Sequence, residues 1–275
     1  VARRVNAQMF ALPHSPVEVL SVGGVEYGLE RVFKHDFWAA TCLYVSSDAK
    51  ARFPRVVVKF GRSQSFAGVP LVWSGKLLAD HEQAIYDRLA GLAGVPAWVG
   101  RVSPTCYAIE YIDARPLDHV ETLPRGFFDD LRKLFDAIHA RGVAYGDANK
   151  RSNILVTRDG KVALVDYQIS LATAENWPWP VRQLAQRCVA YLAAKDIYHL
   201  YKHKRRLAGD ELTAEEEVLS RDRSGLHKLH RKLTKPYRAA RRAFLQRQFS
   251  TGRLLSPSAG LEDHHQPEKE TWQKQ

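Results

Sequence analysis

The residues best placed to do chemistry are Asp147, Asn153 and Asp166. The first two lie in a polar loop, Tyr145-Gly-Asp-Ala-Asn-Lys-Arg-Ser-Asn153, which runs into the apolar segment Ile154-Leu155-Val156. A turn signal at Asp159-Gly160 follows, then a second apolar segment that ends on Asp166. The pattern predicts a small hairpin presenting two carboxylates and an amide at its ends. Such a set can supply one general base and two hard oxygen ligands for a metal ion. Singly, each residue has a plainer use: Asp166 can end a strand, and Asp147 or Asn153 can cap a turn.

Phosphoryl transfer asks for positioning and charge neutralisation more than for covalent chemistry. Asp147 suits a base that orients an acceptor hydroxyl and takes its proton. Asp166 and the amide oxygen of Asn153 suit Mg²⁺, which takes few protein oxygens and shares the substrate's phosphates. A cation must hold those phosphates, and an acid must hold that cation. Lys59, closing the apolar run Val56-Val57-Val58, and Glu82, on the flank of a predicted helix, fit these tasks. On strand pattern alone Lys59 reads as a lysine snorkelling at a strand end, and Glu82 in isolation as a surface acid.

The elements that must position these residues follow from periodicity. Strands are predicted over residues 17–22, 27–33, 41–45 and 55–60, with a turn or loop at 34–40. A helix is predicted over 77–91, its apolar face carrying Leu78, Ile85 and Leu89 and its end marked by Gly91. Further strands are expected at 98–102 and 107–112, and Asp113-Ala-Arg-Pro116 reads as a linking turn. Residues 127–141 carry the clearest helical stripe, Phe128, Leu131, Leu134, Phe135 and Ile138, with Gly142 as its cap. His139, beside that stripe, reads as a packed core histidine. Beyond a Trp- and Pro-rich loop at 177–180, a long helix is expected over 181–207 and a short acidic one over 211–219.

The expected organisation is an N-terminal lobe over residues 1–112, with 1–15 a loose lead-in. A C-terminal lobe over 113–249 and a disordered tail over 250–275 follow. The chain's 275 residues are enough for two modest lobes sharing a cleft. Its formal net charge of +11 is concentrated: residues 221–253 hold eleven Lys and Arg against one acid, Asp222. Leu226, Leu229, Leu233, Tyr237 and Phe244 recur through that segment, which predicts two basic amphipathic helices within 221–249. Such charge favours phosphate-rich partners, either an anionic membrane or nucleic acid. The three cysteines lack metal-ligand spacing, so a disulfide scaffold is not expected and a reducing compartment is. No apolar run reaches the ~20 residues of a membrane span, and Arg3-Arg4 leads into no signal-peptide core.

In order, a strand lysine, a helix glutamate, an interlobe strand, Asp-x₅-Asn-Ile-Leu-Val and an Asp after an apolar strand resemble the protein-kinase-like superfamily across residues 25–206. The compact pattern is more similar to RIO-type and bacterial lipopolysaccharide-core kinases than to signalling kinases. The resemblance implies an α+β, two-lobed fold, with a small antiparallel sheet lobe plus one helix and a larger, mainly helical lobe. It implies ATP and Mg²⁺ as cofactors, with Asn153 and Asp166 on the metal. Lys59 and Glu82 would serve the nucleotide phosphates. In the hinge-like Ile109-Glu110-Tyr111-Ile112, Glu110 and Ile112 would meet adenine through their backbone. Asp147 would be the base and Lys150 the contact to the transferred phosphate.

Departures from the family pattern are specific. Tyr145-Gly146-Asp147 replaces His-Arg-Asp, and Asp166-Tyr167-Gln168 replaces Asp-Phe-Gly. No Gly-x-Gly-x-x-Gly precedes Lys59, residues 34–41 standing in its place, and the Asp147-to-Asn153 spacing is one residue longer than the commonest. Gly146 in place of arginine, and the lack of Ala-Pro-Glu, argue against control by activation-loop phosphorylation. They also argue against an extended-peptide groove.

The leading expectation is an ATP-dependent phosphotransferase acting on a hydroxyl of a protein or of a membrane glycolipid. The alternatives are a pseudokinase or nucleotide-binding scaffold, and RNA binding through residues 221–253. A cytoplasmic location is expected, with peripheral association at the inner face of the membrane as a variant of it.

Overall fold

The computed structural model describes residues 7–48, 50–173 and 177–221, with Ala243, Arg247, residues 256–258 and Leu261. The basic helices expected within 221–249 thus lie, beyond Arg221, almost wholly outside the described residues. The described residues up to Asp80, those of Val99–Tyr111, and the few from 243 onward form one compact unit. His81–Trp98 and residues 112–221 form the second. Residues 81–98 therefore group with the second unit, whereas the sequence reading places all of 1–112 in the first.

The first unit is built on a six-stranded sheet. Its strands are β1 (Val19–Val22), β2 (Val25–His35), β3 (Ala39–Ser46), β4 (Arg55–Gly61), β5 (Trp98–Ser103) and β6 (Cys106–Glu110), arranged β1-β2-β3-β4-β6-β5. The pairs from β1 to β4, and β4 with β6, are antiparallel. Alternation along the strands sends Val56 and Val58 into one apolar core with Cys42, Tyr44 and Ala108. The other face of the sheet carries Lys59, paired across the ladder with Thr41 and Tyr107.

Helix α1 (Val72–Leu89) starts five residues before the predicted position. Its first turns expose Trp73 and Leu77, so the apolar periodicity used to find it begins only later. Gly75 lets those turns approach the strand end closely: a Cβ there would lie 2.3 Å from the Arg62 carbonyl oxygen. The loose lead-in expected over 1–15 is corrected for its described part. Phe10 and Ala11 are buried, and Ala11 donates to the Asp36 carbonyl. The disordered tail is likewise corrected at 256–258 and 261. Ser258 is buried against His35, and Leu261 accepts a hydrogen bond from the Val32 amide.

The second unit is mainly helical: α2 (Phe127–Ala140), α3 (Trp179–Leu207) and α4 (Ala214–Arg221). Two small sheets accompany them. Strands β7 (Ala114–Pro116), β9 (Ile154–Thr157) and β10 (Val162–Leu164) form one, in the order β10-β9-β7. Strands β8 (Val143–Ala144) and β11 (Leu171–Ala172) form the other. The turn predicted at 113–116 is therefore corrected to an edge strand, where Pro116 is tolerated because an edge leaves amides unpaired. The whole is the α+β architecture expected. Among the described residues, no helix is long and apolar enough to cross a membrane.

Candidate functional site

Two consecutive turns build the loop that holds Asp147. Lys150 N–H donates to the Asp147 carbonyl, and Asn153 N–H to the Lys150 carbonyl. The second turn is a short 3₁₀ helix, Arg151–Asn153. The two turns absorb the extra residue and return Asn153 to Asp147, so that Asn153 Nδ2 donates to Asp147 Oδ2 at 2.9 Å. Lys150 Nζ lies 2.6 Å from the same oxygen. Asp147 Oδ1 has no hydrogen-bond partner among the described residues. Asn153 Oδ1 has only a 3.5 Å contact from Ser152 Oγ. One carboxylate oxygen and one amide oxygen are thus left open.

Asp166 is brought alongside by the hairpin. β9 and β10 pair Ile154 with Leu164, and Val165 N–H donates to the Asn153 carbonyl just beyond the ladder. Asp166 itself has a left-handed backbone, φ +66°, which an aspartate tolerates at a cost of about 1 kcal/mol or more. Burial pushes the Asp147 carboxyl above its ordinary value and the Asp166 charge adds to this, while Lys150 and Asn153 pull it back.

Helix α3 holds the loop from behind. Tyr145 N–H donates to Asp196 Oδ2 at 2.8 Å, and Gly146 N–H to Asp196 Oδ1 at 2.9 Å. His139 Nε2 lies 3.2 Å from Asp196 Oδ2, so this histidine is a polar partner as well as a packed ring stacked on Phe135. Two helical turns on, His203 Nε2 meets the Ala148 carbonyl at 3.0 Å, and Lys202 Nζ donates to Asn149 Oδ1. Nε2 must donate to that carbonyl, and burial drives the His203 pKa down to about 4, which favours the neutral ring with its proton on Nε2.

Gly146 has φ +79°, and a Cβ there would stand 3.1 Å from the Ile169 carbonyl oxygen. The backbone, rather than a missing regulatory contact alone, accounts for glycine at this position. Aromatic rings fill the space behind the loop: Tyr145 meets Tyr167 edge-on at 5.3 Å, and Tyr167 meets Tyr86 at 5.2 Å. The Tyr145 hydroxyl donates to the Val165 carbonyl, tying this stack to the strand that presents Asp166.

The remaining predicted residues are distributed over both units. Lys59 and Glu110 belong to the sheet unit, and Glu82 and Ile112 to the helical unit. Lys59 is 9% exposed and Glu82 3%, so neither is the snorkelling or surface residue that its local sequence describes. Glu110 closes β6, and Ile112 lies in residues 111–113, outside any strand. The hinge-like segment is held to the sheet by Tyr111 N–H donating to the Arg55 carbonyl.

The turn or loop expected at 34–40 is a tight β2–β3 turn over residues 36–38, with 34–35 and 39–41 in the strands themselves. Asp36 Oδ1 accepts from both Trp38 N–H and Ala39 N–H, at 2.8 and 3.0 Å. Burial works to raise the Asp36 pKa, but Lys34 and these amides outweigh it and hold the carboxyl below its ordinary value. Beneath the turn lies Arg62, fully buried, donating to the carbonyls of Gln8, Phe10, Phe37, Gln64 and Ser65. Its guanidinium also sits 3.9 Å from the centre of the Phe37 ring.

No protein-family model and no curated protein matches this sequence. The chain is similar to the Rio2 kinase of Chaetomium thermophilum. A structure of that kinase as an ADP/Mg²⁺-phosphoaspartate complex is 19% identical, with a TM-score of 0.48, over 68% of this chain and 56% of that one. A second Rio2 structure gives 18%, 0.48, 69% and 58%. The chain thus spans less than two thirds of either.

Sequence reasoning missed Asp196, His203, Asp36 and Arg62. Asp196 and His203 stand seven residues apart on one helix, a spacing that places them on one face. An acid and a histidine at that spacing in an otherwise apolar and basic helix were the available signal.

Proposed function

We propose that the chain is a phosphotransferase that moves the γ-phosphoryl group of ATP to a hydroxyl acceptor. The observation that carries this reading is the open Oδ1 of Asp147, on a buried carboxylate whose other oxygen is held by Asn153 and Lys150. A base needs one oxygen fixed and one free to face a hydroxyl proton, and a raised pKa makes it a better proton acceptor near neutrality. In the reaction the acceptor O–H proton passes to Asp147 as the acceptor oxygen bonds to phosphorus and the bond to ADP breaks. Lys150, half exposed beside Asp147, steadies the phosphoryl group in transit. Lys59 and Glu82 serve the nucleotide phosphates, and the backbone at Glu110 and Ile112 serves adenine.

Among the described residues, no three His, Cys, Asp or Glu side chains could hold a metal ion on their own. The donors at hand are one carboxylate and one amide oxygen, Asp166 and Asn153. That set suits a cation that arrives with the nucleotide and completes its shell from phosphates and water. When bound, Mg²⁺ would neutralise phosphate charge. The test is Asp147→Asn in single-turnover transfer from labelled ATP to a glycolipid or protein fraction. A loss of about 10²-fold or more is expected, with nucleotide binding retained. Transfer at the wild-type rate overturns the assignment.

A second reading, a nucleotide-binding scaffold without transfer, is favoured by the β2–β3 turn. Two of its amides are already taken by Asp36, so the turn offers fewer donors to phosphates than a glycine-rich loop would. Calorimetric binding of ATP with no transfer in the same preparation selects this reading.

A further inference from the structure

The N-terminal half of α3 is poorly covered for a helix that carries so many apolar residues. Ala185 and Val189 mark its packed side. On another side Val181, Leu184 and Cys188 recur at helical spacing, all exposed, with Leu184 at 64%. Trp177 and Trp179, in the Trp-Pro-Trp-Pro entry to the helix, are also exposed, Trp179 at 64%. Among the described residues nothing covers this apolar helix start, the mark of an interaction site.

The charge along the same stretch is one-sided. Residues 177–195 contain Arg182, Arg187 and Lys195 and no Asp or Glu. Among the described residues, no ion pair engages Arg187 or Lys195, although Lys195 lies over the Tyr191 ring. Exposed indoles, aliphatic side chains and interleaved cations without acids match the boundary between lipid headgroups and acyl chains. Indole rings favour that boundary, and each basic residue gains about 1 kcal/mol near an anionic surface. Single-stranded nucleic acid would also accept indoles and arginines, but it offers no apolar counterpart to Val181 and Leu184. No helix among the described residues can cross a membrane, so this one would lie on the surface.

We propose that the N-terminal half of α3 seats the protein on an anionic membrane surface. Asp196 and His203, farther along the same helix, hold the Asp147 loop. Under the phosphotransferase reading, on which this one step rests, a membrane seat selects a lipid-borne hydroxyl as the acceptor.

The protein carries its own probe site. Cys188 is exposed on the proposed face, whereas Cys42 and Cys106 are buried. The full chain is labelled at Cys188 with an environment-sensitive fluorophore and mixed, without nucleotide, with phosphatidylcholine vesicles, either pure or about one third phosphatidylglycerol. A blue shift and shielding from iodide on the anionic vesicles, weak on the neutral ones, are expected. The exposed double variant Trp179→Ser/Leu184→Ser, which removes no buried contact, should lower vesicle partition by about tenfold or more. The proposal is overturned if the protein does not bind anionic vesicles, or if it binds them with an unshifted label, as it would through residues 221–253. Unchanged partition of the double variant, or shielding of the label by single-stranded RNA and not by vesicles, also overturns it. Because no nucleotide is present, failure here is distinct from failure of phosphate transfer.

Discussion

Asp196 and Gly146 are 50 residues apart in the chain and joined by a 2.9 Å hydrogen bond, the Gly146 amide donating to the Asp196 carboxylate. The same carboxylate takes the Tyr145 amide, so one buried side chain fixes two consecutive peptides immediately before Asp147. Replacing Asp196 with Ala leaves the buried Tyr145 N–H, the partly buried Gly146 N–H and His139 without their acceptor. A loss of about 3 kcal/mol in urea unfolding is expected, together with a fall in the transfer rate larger than any change in nucleotide affinity. A rate unchanged in a folded variant would show that the loop does not need this anchor.

His203 makes the loop's support sensitive to acid. Its folded pKa of about 4 lies below the 6.5 of an unperturbed histidine, so the unfolded chain takes up the proton first. The stability it allows is complete above pH 6.5, falls as pH drops towards 4, and then levels. The amount at stake is on the order of 3 kcal/mol. Urea midpoints measured from pH 7 to 4 should fall less steeply for His203→Gln than for the unaltered protein. Parallel slopes would remove His203 from the cause.

Gly146→Ala tests the backbone reading of the loop. A Cβ at φ +79°, within 3.1 Å of the Ile169 carbonyl oxygen, forces the loop or its neighbour to shift. We expect a stability loss of about 1–2 kcal/mol and a tenfold or greater fall in transfer, because Asp147 is the next residue. Equal activity in Gly146→Ala would mean that the left-handed turn is not required.

Arg62 is the corresponding anchor of the sheet unit. Five carbonyls from three separate stretches of chain share its guanidinium. Lysine keeps the charge but lacks the planar fork, so Arg62→Lys should still cost about 2 kcal/mol or more in thermal or urea unfolding. Amide exchange at residues 10–12 and 36–39 should accelerate first. Uniform acceleration across the sheet would show that Arg62 supports the unit as a whole and not these segments.

Local pattern settled much of this molecule. The strands around Lys59, the stripe of α2 and the hairpin after Asn153 follow from side-chain periodicity, which reports which face of an element is buried. Asp147, Asn153 and Asp166 were legible because the hairpin joining them is short and its turn residues are explicit. The sequence could not distinguish a surface Glu82 from a buried one, because burial depends on what packs over the helix. It could not reveal that Asp36 fills its own turn, since Asp in a loop is ordinary wherever it occurs. Strands β7, β8 and β11 are too short to carry a period, and only their partners in space define them. Asp196, His203 and Arg62 act on backbone groups far away in the chain; the spacing of Asp196 and His203 on α3 marks a shared face, but nothing in the pattern names the peptides they hold. The sequence by itself determined which groups could do chemistry and the elements that carry them. Tertiary structure alone decided how those groups are held, because hydrogen bonds to distant peptides form only when the chain has closed.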